Sequence, residues 1–84
     1  MTWTRTTVED AEAQYPGNPK RPGAEKPFGF ISDQWEALKA AMQPGDELYA
    51  YRSSPETWRA LAGRSGYALV RDGKVVREVV TMLN

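Results

Sequence analysis

The sequence predicts a small α+β fold: a three-stranded mixed sheet in the order 1-3-2, assembled as helix-β-α-β-β, with both helices on one face and an extended proline-rich amino-terminal arm. Three observations carry this. In GYALVRDGKVVREVVTMLN, from Gly66 to Asn84, two β-rich runs flank Asp72-Gly73, a pair that takes the positive φ angles of a type I′ turn and so favours a tight antiparallel hairpin. Ile31, Trp35, Leu38 and Met42 recur at spacings of four, three and four, which places them on one face of a helix. Ser54-Pro55-Glu56 opens a second helix after a strand-like run, with serine as cap and proline at the first helical position.

From the amino terminus, Thr2 to Tyr15 reads two ways. Trp3, the threonines and Val8 have β propensity, whereas Thr7 ahead of Val8, Glu9, Asp10, Ala11, Glu12 and Ala13 describes an N-capped helix with acids in its first turn. The short helix is the reading adopted. Tyr15-Pro16-Gly17-Asn18-Pro19 ends it, and four prolines from Pro16 to Pro27 describe a linker. Residues 1–30 thus form an arm, and residues 31–84 the α/β domain.

Pro44 disfavours helical geometry at Gln43, so the next helix runs from about Asp33 to Met42, with Asp33 and Glu36 at the spacing of a capping box. Glu47 to Ser53 then alternates, with Leu48, Ala50 and Arg52 on one face and Tyr49, Tyr51 and Ser53 on the other. Beyond the Ser54 cap, Trp58, Leu61 and Ala62 form an inward stripe, and Gly63 is the stop. The roughly 12 residues from Ser54 to Ser65 just suffice for a crossover, which makes the first two strands parallel and sets the valine-rich third strand between them. Pairing across the turn puts Val70 opposite Val75 and Leu69 opposite Val76. Val70, Val75 and Val79 then share one face, and Leu69, Val76, Val80 and Met82 the other.

Composition narrows the chemistry. Eleven basic residues balance eleven acidic ones, so no overall field draws the chain to nucleic acid or to an anionic membrane. Without cysteine there is no disulfide or thiolate site, which fits a reducing cytoplasm, and without histidine the commonest general base and zinc ligand are missing. The amino terminus lacks an apolar signal core and no run approaches a membrane span, so a cytoplasmic, membrane-free protein is expected. Asp46 and Glu47 are adjacent and diverge on a strand, and Ser53, Ser54 and Ser65 have no histidine to activate them. No catalytic residue, metal ligand or cofactor is assigned, and the chain reads as no enzyme. Gly63-Arg64-Ser65-Gly66 follows a helix instead of opening one, so it faces carbonyls and is no phosphate loop.

PGDELYAYRSSPETW, LAGRSGYALVRDGKVV and the ending VVTMLN together carry an acidic GDEL strand, an SP-x-x-W helix and a GR-x-G-x-ALVR-x-G-x-VV hairpin. This pattern, over Ser32 to Asn84, resembles a family of small bacterial proteins of unknown function. The resemblance implies a bacterial or phage setting and a module of constant size; it brings no activity and no catalytic residue.

Both faces of the predicted hairpin carry apolar residues, and helices on one side cannot cover both, so a partner, a second copy, or Trp3 and the amino-terminal arm folded back over the sheet must shield the remainder. The expected function is accordingly a protein-interaction module of inhibitor or adaptor type, acting through a sheet face or strand edge on a protein partner or a second copy, with Arg52, Arg71 and Arg77 setting orientation. The alternative is nucleic-acid binding, with Arg52, Arg64, Arg71, Lys74 and Arg77 on phosphates and Tyr49 or Tyr51 stacking on bases. A small enzyme using carboxylate chemistry is the third class.

Overall fold

The computed structural model describes residues 1–83, so Asn84, the last residue of the hairpin stretch, lies outside the described residues. The chain forms β1 (Thr2–Thr6), α1 (Val8–Gln14), a 3-10 turn (Gly29–Ile31), α2 (Ser32–Ala41), β2 (Glu47–Arg52), α3 (Pro55–Arg59), β3 (Arg64–Arg71) and β4 (Lys74–Leu83). The strands make one four-stranded sheet in the order β1-β2-β3-β4, antiparallel throughout. This corrects the predicted three-stranded mixed sheet of order 1-3-2. A least dimension of 17 Å leaves room for the sheet and a single layer of helices.

Two local facts overturn the predicted topology. α3 is only five residues long, and Leu61, not Gly63, ends it. Leu61 sits at φ 60°, its N–H bonding the Trp58 carbonyl while the Ala62 N–H bonds that of Thr57, the paired bonds of a Schellman cap. So short a helix cannot carry the chain across the sheet, and the Ser53 N–H bonds the Arg64 carbonyl at 2.9 Å, returning β3 directly alongside β2. The inward stripe expected of α3 is absent: the helix buries no residue, and Leu61 is 74% exposed. The second fact is at the amino terminus. Thr2 to Thr6 realises its β propensity, pairing Trp3 with Tyr51 and Thr6 with Leu48, so the predicted arm begins as an edge strand of the sheet.

Local signals were otherwise obeyed. Thr7 caps α1, its hydroxyl accepting from the Asp10 N–H at 3.1 Å, and Ser54 caps α3 with Pro55 behind it. Asp72 and Gly73 sit at φ 52° and 77°, as a type I′ turn requires. α2 starts instead from the 3-10 turn, without the expected side-chain cap from Asp33. The proline-rich stretch is a closed loop, pinned by the Phe28 N–H on the Tyr15 carbonyl at 2.9 Å and by Asn18 on Ala24 at 2.7 Å.

The core lies between α1, α2 and one face of the sheet, where Ala11, Phe28, Trp35, Leu38, Leu48, Tyr67, Leu69 and Val79 are buried. Phe28 stacks on Trp35 with centroids 4.1 Å apart, and Tyr67 meets both rings edge-on. Glu12 ties the helices together, accepting from Trp35 Nε1 and Lys39 Nζ at 2.8 Å each.

A bulge in β4 decides which valines join this core. Val70 pairs with Val75 as expected, but Leu69 pairs with Arg77, leaving Val76 as the extra residue. Val79 thereby falls opposite Tyr67 and is buried, while Val80 falls opposite Gly66 on the other face. The two predicted hairpin faces exchange members beyond the bulge.

Candidate functional site

No helix covers the second face of the sheet. Register places Trp3 and Arg5 of β1, Glu47, Tyr49 and Tyr51 of β2, Gly66, Ala68 and Val70 of β3, and Val75, Glu78 and Val80 of β4 on it. Trp3 is 45% and Val75 50% exposed. Trp3, Glu47, Tyr49, Val70, Gly73 and Val75 line a shallow trough of about 320 Å³. Beside it Ala68, opposite both Tyr49 and Glu78, is fully covered by its neighbours.

Charges on this face are settled in pairs. Arg5 Nη1 lies 2.6 Å from Glu47 Oε2 beside the trough, and Arg64 Nη1 lies 3.5 Å from Glu78 Oε1 further along. What remains between them is aromatic and aliphatic.

The residues singled out from sequence do not converge. Tyr49 stands on this face, its hydroxyl 3.4 Å from Glu47 Oε2. Tyr51 shares the face but is only 3% exposed, with Trp3 at 5.2 Å between centroids and the Arg64 guanidinium 5.6 Å from its ring. It is therefore packed and offers no open ring for stacking. Its hydroxyl is buried without a hydrogen-bond partner among the described residues, and burial first, then the charge of Glu78, push its pKa above the ordinary tyrosine value. Arg52 projects on the opposite face and lies 5.1 Å from the Trp58 ring. Arg71 is a clasp: Nε and Nη2 donate to Asp46 at 2.9 and 2.7 Å, and Nη2 also donates to the Ala41 carbonyl at 3.0 Å, locking the hairpin to the end of α2. The Arg71 hydrogen bonds hold Asp46 below the usual carboxylate range. Arg77, opposite Leu69, is exposed and belongs to the helix-bearing side.

Trp3, Arg5 and Val75 were missed as site residues. The signal was the alternation in Thr2-Trp3-Thr4-Arg5-Thr6, which as a strand puts Trp3 and Arg5 on one face. The serines weighed as nucleophiles are all engaged: Ser53 Oγ accepts the Arg64 N–H, Ser54 Oγ that of Thr57, and Ser65 Oγ lies 3.5 Å from Thr81 Oγ1. Among the described residues, no group of three acidic side chains gathers as a metal site, and no helix is long and apolar enough to cross a membrane. Comparison with family models, curated proteins and solved structures finds no match to this chain.

Proposed function

We propose that the protein is a non-catalytic interaction module, of inhibitor or adaptor type, whose partner protein lies across the helix-free face of the sheet. The observation that carries this is the trough between Trp3, Tyr49, Val70 and Val75, an apolar and aromatic surface toward the hairpin-turn end of a face whose arginines are already paired with carboxylates. Such a surface gains by losing water and places no unpaired charge under a partner. Of the cations named for a nucleic acid, Arg64 and Arg71 are engaged by Glu78 and Asp46, and Arg52, Lys74 and Arg77 lie on the other side of the sheet from Tyr49, which favours a protein over nucleic acid on this face.

The face is a better candidate than the strand edges. β1 is five residues long, and the outer strand β4 carries Lys74, Arg77 and two register shifts, features that discourage pairing with another chain. The same reading takes the setting to be bacterial or phage and cytoplasmic, and allows the partner to be a second copy.

Crosslinking and affinity purification from the native host test this, with Trp3→Glu and Val75→Glu beside Arg77→Glu as a variant on the other side. A partner captured by the wild type and by Arg77→Glu, and lost with Trp3→Glu and Val75→Glu, is expected. Sedimentation over a range of concentrations reports the case in which that partner is a second copy. Equal capture by all variants overturns the assignment to this face.

A further inference from the structure

The helix-bearing face is itself only half covered. Phe28 and Trp35 close over Leu48, Leu69, Val79 and one side of the Tyr67 ring, while beyond Tyr67, toward Arg52 and Ser65, the face is left as a cleft. A hollow of about 150 Å³ there is bordered by Arg52, Ser65 and Thr81. It shares Tyr15, Ala50 and Tyr67 with a larger one of about 580 Å³ that runs between α1 and β1 to Thr4, Thr6 and Asp10. Together they reach the size of small-molecule sites, and their lining is rich in hydroxyls.

Three features show a site arranged to donate hydrogen bonds. Arg52 has no carboxylate partner among the described residues, in contrast to Arg64 and Arg71. Its guanidinium rests against Trp58, which is fixed in turn by Nε1 donating to the Ser53 carbonyl at 3.1 Å, so the fork is oriented in advance. Tyr67 is 6% exposed and its side chain lines both hollows; its hydroxyl bonds to no described residue and reaches solvent there, free to meet a ligand. Finally, Tyr15 Oη and Ser65 Oγ reach Thr81 Oγ1 at 3.4 and 3.5 Å, contacts at the limit of a hydrogen bond that re-aim at little cost, while Thr81 Oγ1 donates to the Ser65 carbonyl at 3.2 Å and so offers an acceptor.

A planar guanidinium beside several hydroxyl donors matches the oxygens of a phosphate or carboxylate. At the far end Asp10 and Arg5 both line the hollow, and Arg5 is already paired with Glu47, so that end offers no free cation to a second anion. We propose that this cleft binds a small molecule bearing one phosphate or carboxylate on a neutral, hydroxylated body, with Arg52 taking the anion and the hydroxyls of Tyr15, Ser65, Tyr67 and Thr81 binding the rest. The site is separate from the helix-free face and stands whether or not that face binds a partner.

NMR titration of the full chain tests it, with ribose phosphate, gluconate, inorganic phosphate and unmodified ribose as probes. Saturable shifts of the Trp58 indole and the Ser65 and Thr81 amides are expected with ribose phosphate or gluconate, whichever carries the preferred anion. Ribose alone should bind more weakly than either. Arg52→Gln should weaken binding about 10-fold, the loss of a charge-assisted hydrogen bond, and Tyr67→Phe by a smaller factor. No saturable shift at these signals with any anionic probe, or equal binding by Arg52→Gln with its amide spectrum intact, overturns the proposal.

Discussion

Single residues hold conformations that their neighbours make tolerable. Leu61 occupies the left-handed position of a helix cap where glycine is usual, at a cost of roughly 1–2 kcal/mol for a residue with a Cβ. Its side chain is 74% exposed and has little packing to lose. Leu61→Gly should therefore raise unfolding stability by about 1 kcal/mol in urea denaturation. Gly66 is the reverse case. A Cβ there would collide with the Val79 carbonyl oxygen and come within 2.9 Å of the Tyr51 hydroxyl, both held in the sheet. Gly66→Ala should destabilise by about 2 kcal/mol or more, visible as a lower urea midpoint.

The elements are held together by a few polar contacts as well as by the core. Glu12 of α1 lies below its ordinary value of 4.5, first because Lys39 and next because Trp35 donates to it. Because the folded value is depressed, this stabilisation is complete above about pH 4.5 and fades as pH falls through the folded value. Hydrogen bonds to Glu12 and then to Glu36 raise Lys39 from 10.5, so its contribution is full below that pH and is lost as pH rises through the raised value. Glu12→Gln should cost about 1 kcal/mol at neutral pH and converge with the wild type in acid, measured by thermal unfolding across pH.

How much of each element was legible depended on how local its signal was. Thr7, Ser54 and Asp72-Gly73 announce caps and a turn through side chains acting within three or four residues, and each did so correctly. The outward step at Val76 has no such marker, yet it decided that Val79 and not Val80 is buried. Nor does Leu61 resemble a helix stop, and reading through it lengthened α3 into a crossover and produced the wrong strand order. Of the candidate site, Tyr49 was visible, whereas Trp3 depended on a pairing with Tyr51 that no short window contains.

At the scale of the whole molecule, the amino-terminal segment serves both structure and site. β1 covers Tyr51 with Trp3, closes the edge of β2 and contributes a wall to each face: Trp3 to the helix-free trough, Thr4 and Thr6 to the polar cleft. Removal of residues 1–6 should cost roughly 2 kcal/mol from the half-buried tryptophan alone, offset in part by the entropy of the released strand. Hydrogen exchange should show lost protection along β2 while β3 and β4 remain protected. Uniform loss over the whole sheet would instead mean that β1 belongs to the cooperative core.

The linear strand order also bears on the time course of folding. β3 meets β4 across a two-residue turn, and Arg52 of β2 is paired with Ser65, whereas Trp3 must find Tyr51 over 47 intervening positions, with α1, the closed loop and α2 between them. Loop closure makes that encounter the slowest of the three to nucleate, so β1 should dock last, onto a three-stranded intermediate already formed. Pulse-labelled amides should then become protected in β3 and β4 before Trp3 fluorescence changes. Until β1 docks, the outer edge of β2 is an open strand edge, and crowding during refolding should raise the yield of aggregates in proportion to the lifetime of that intermediate.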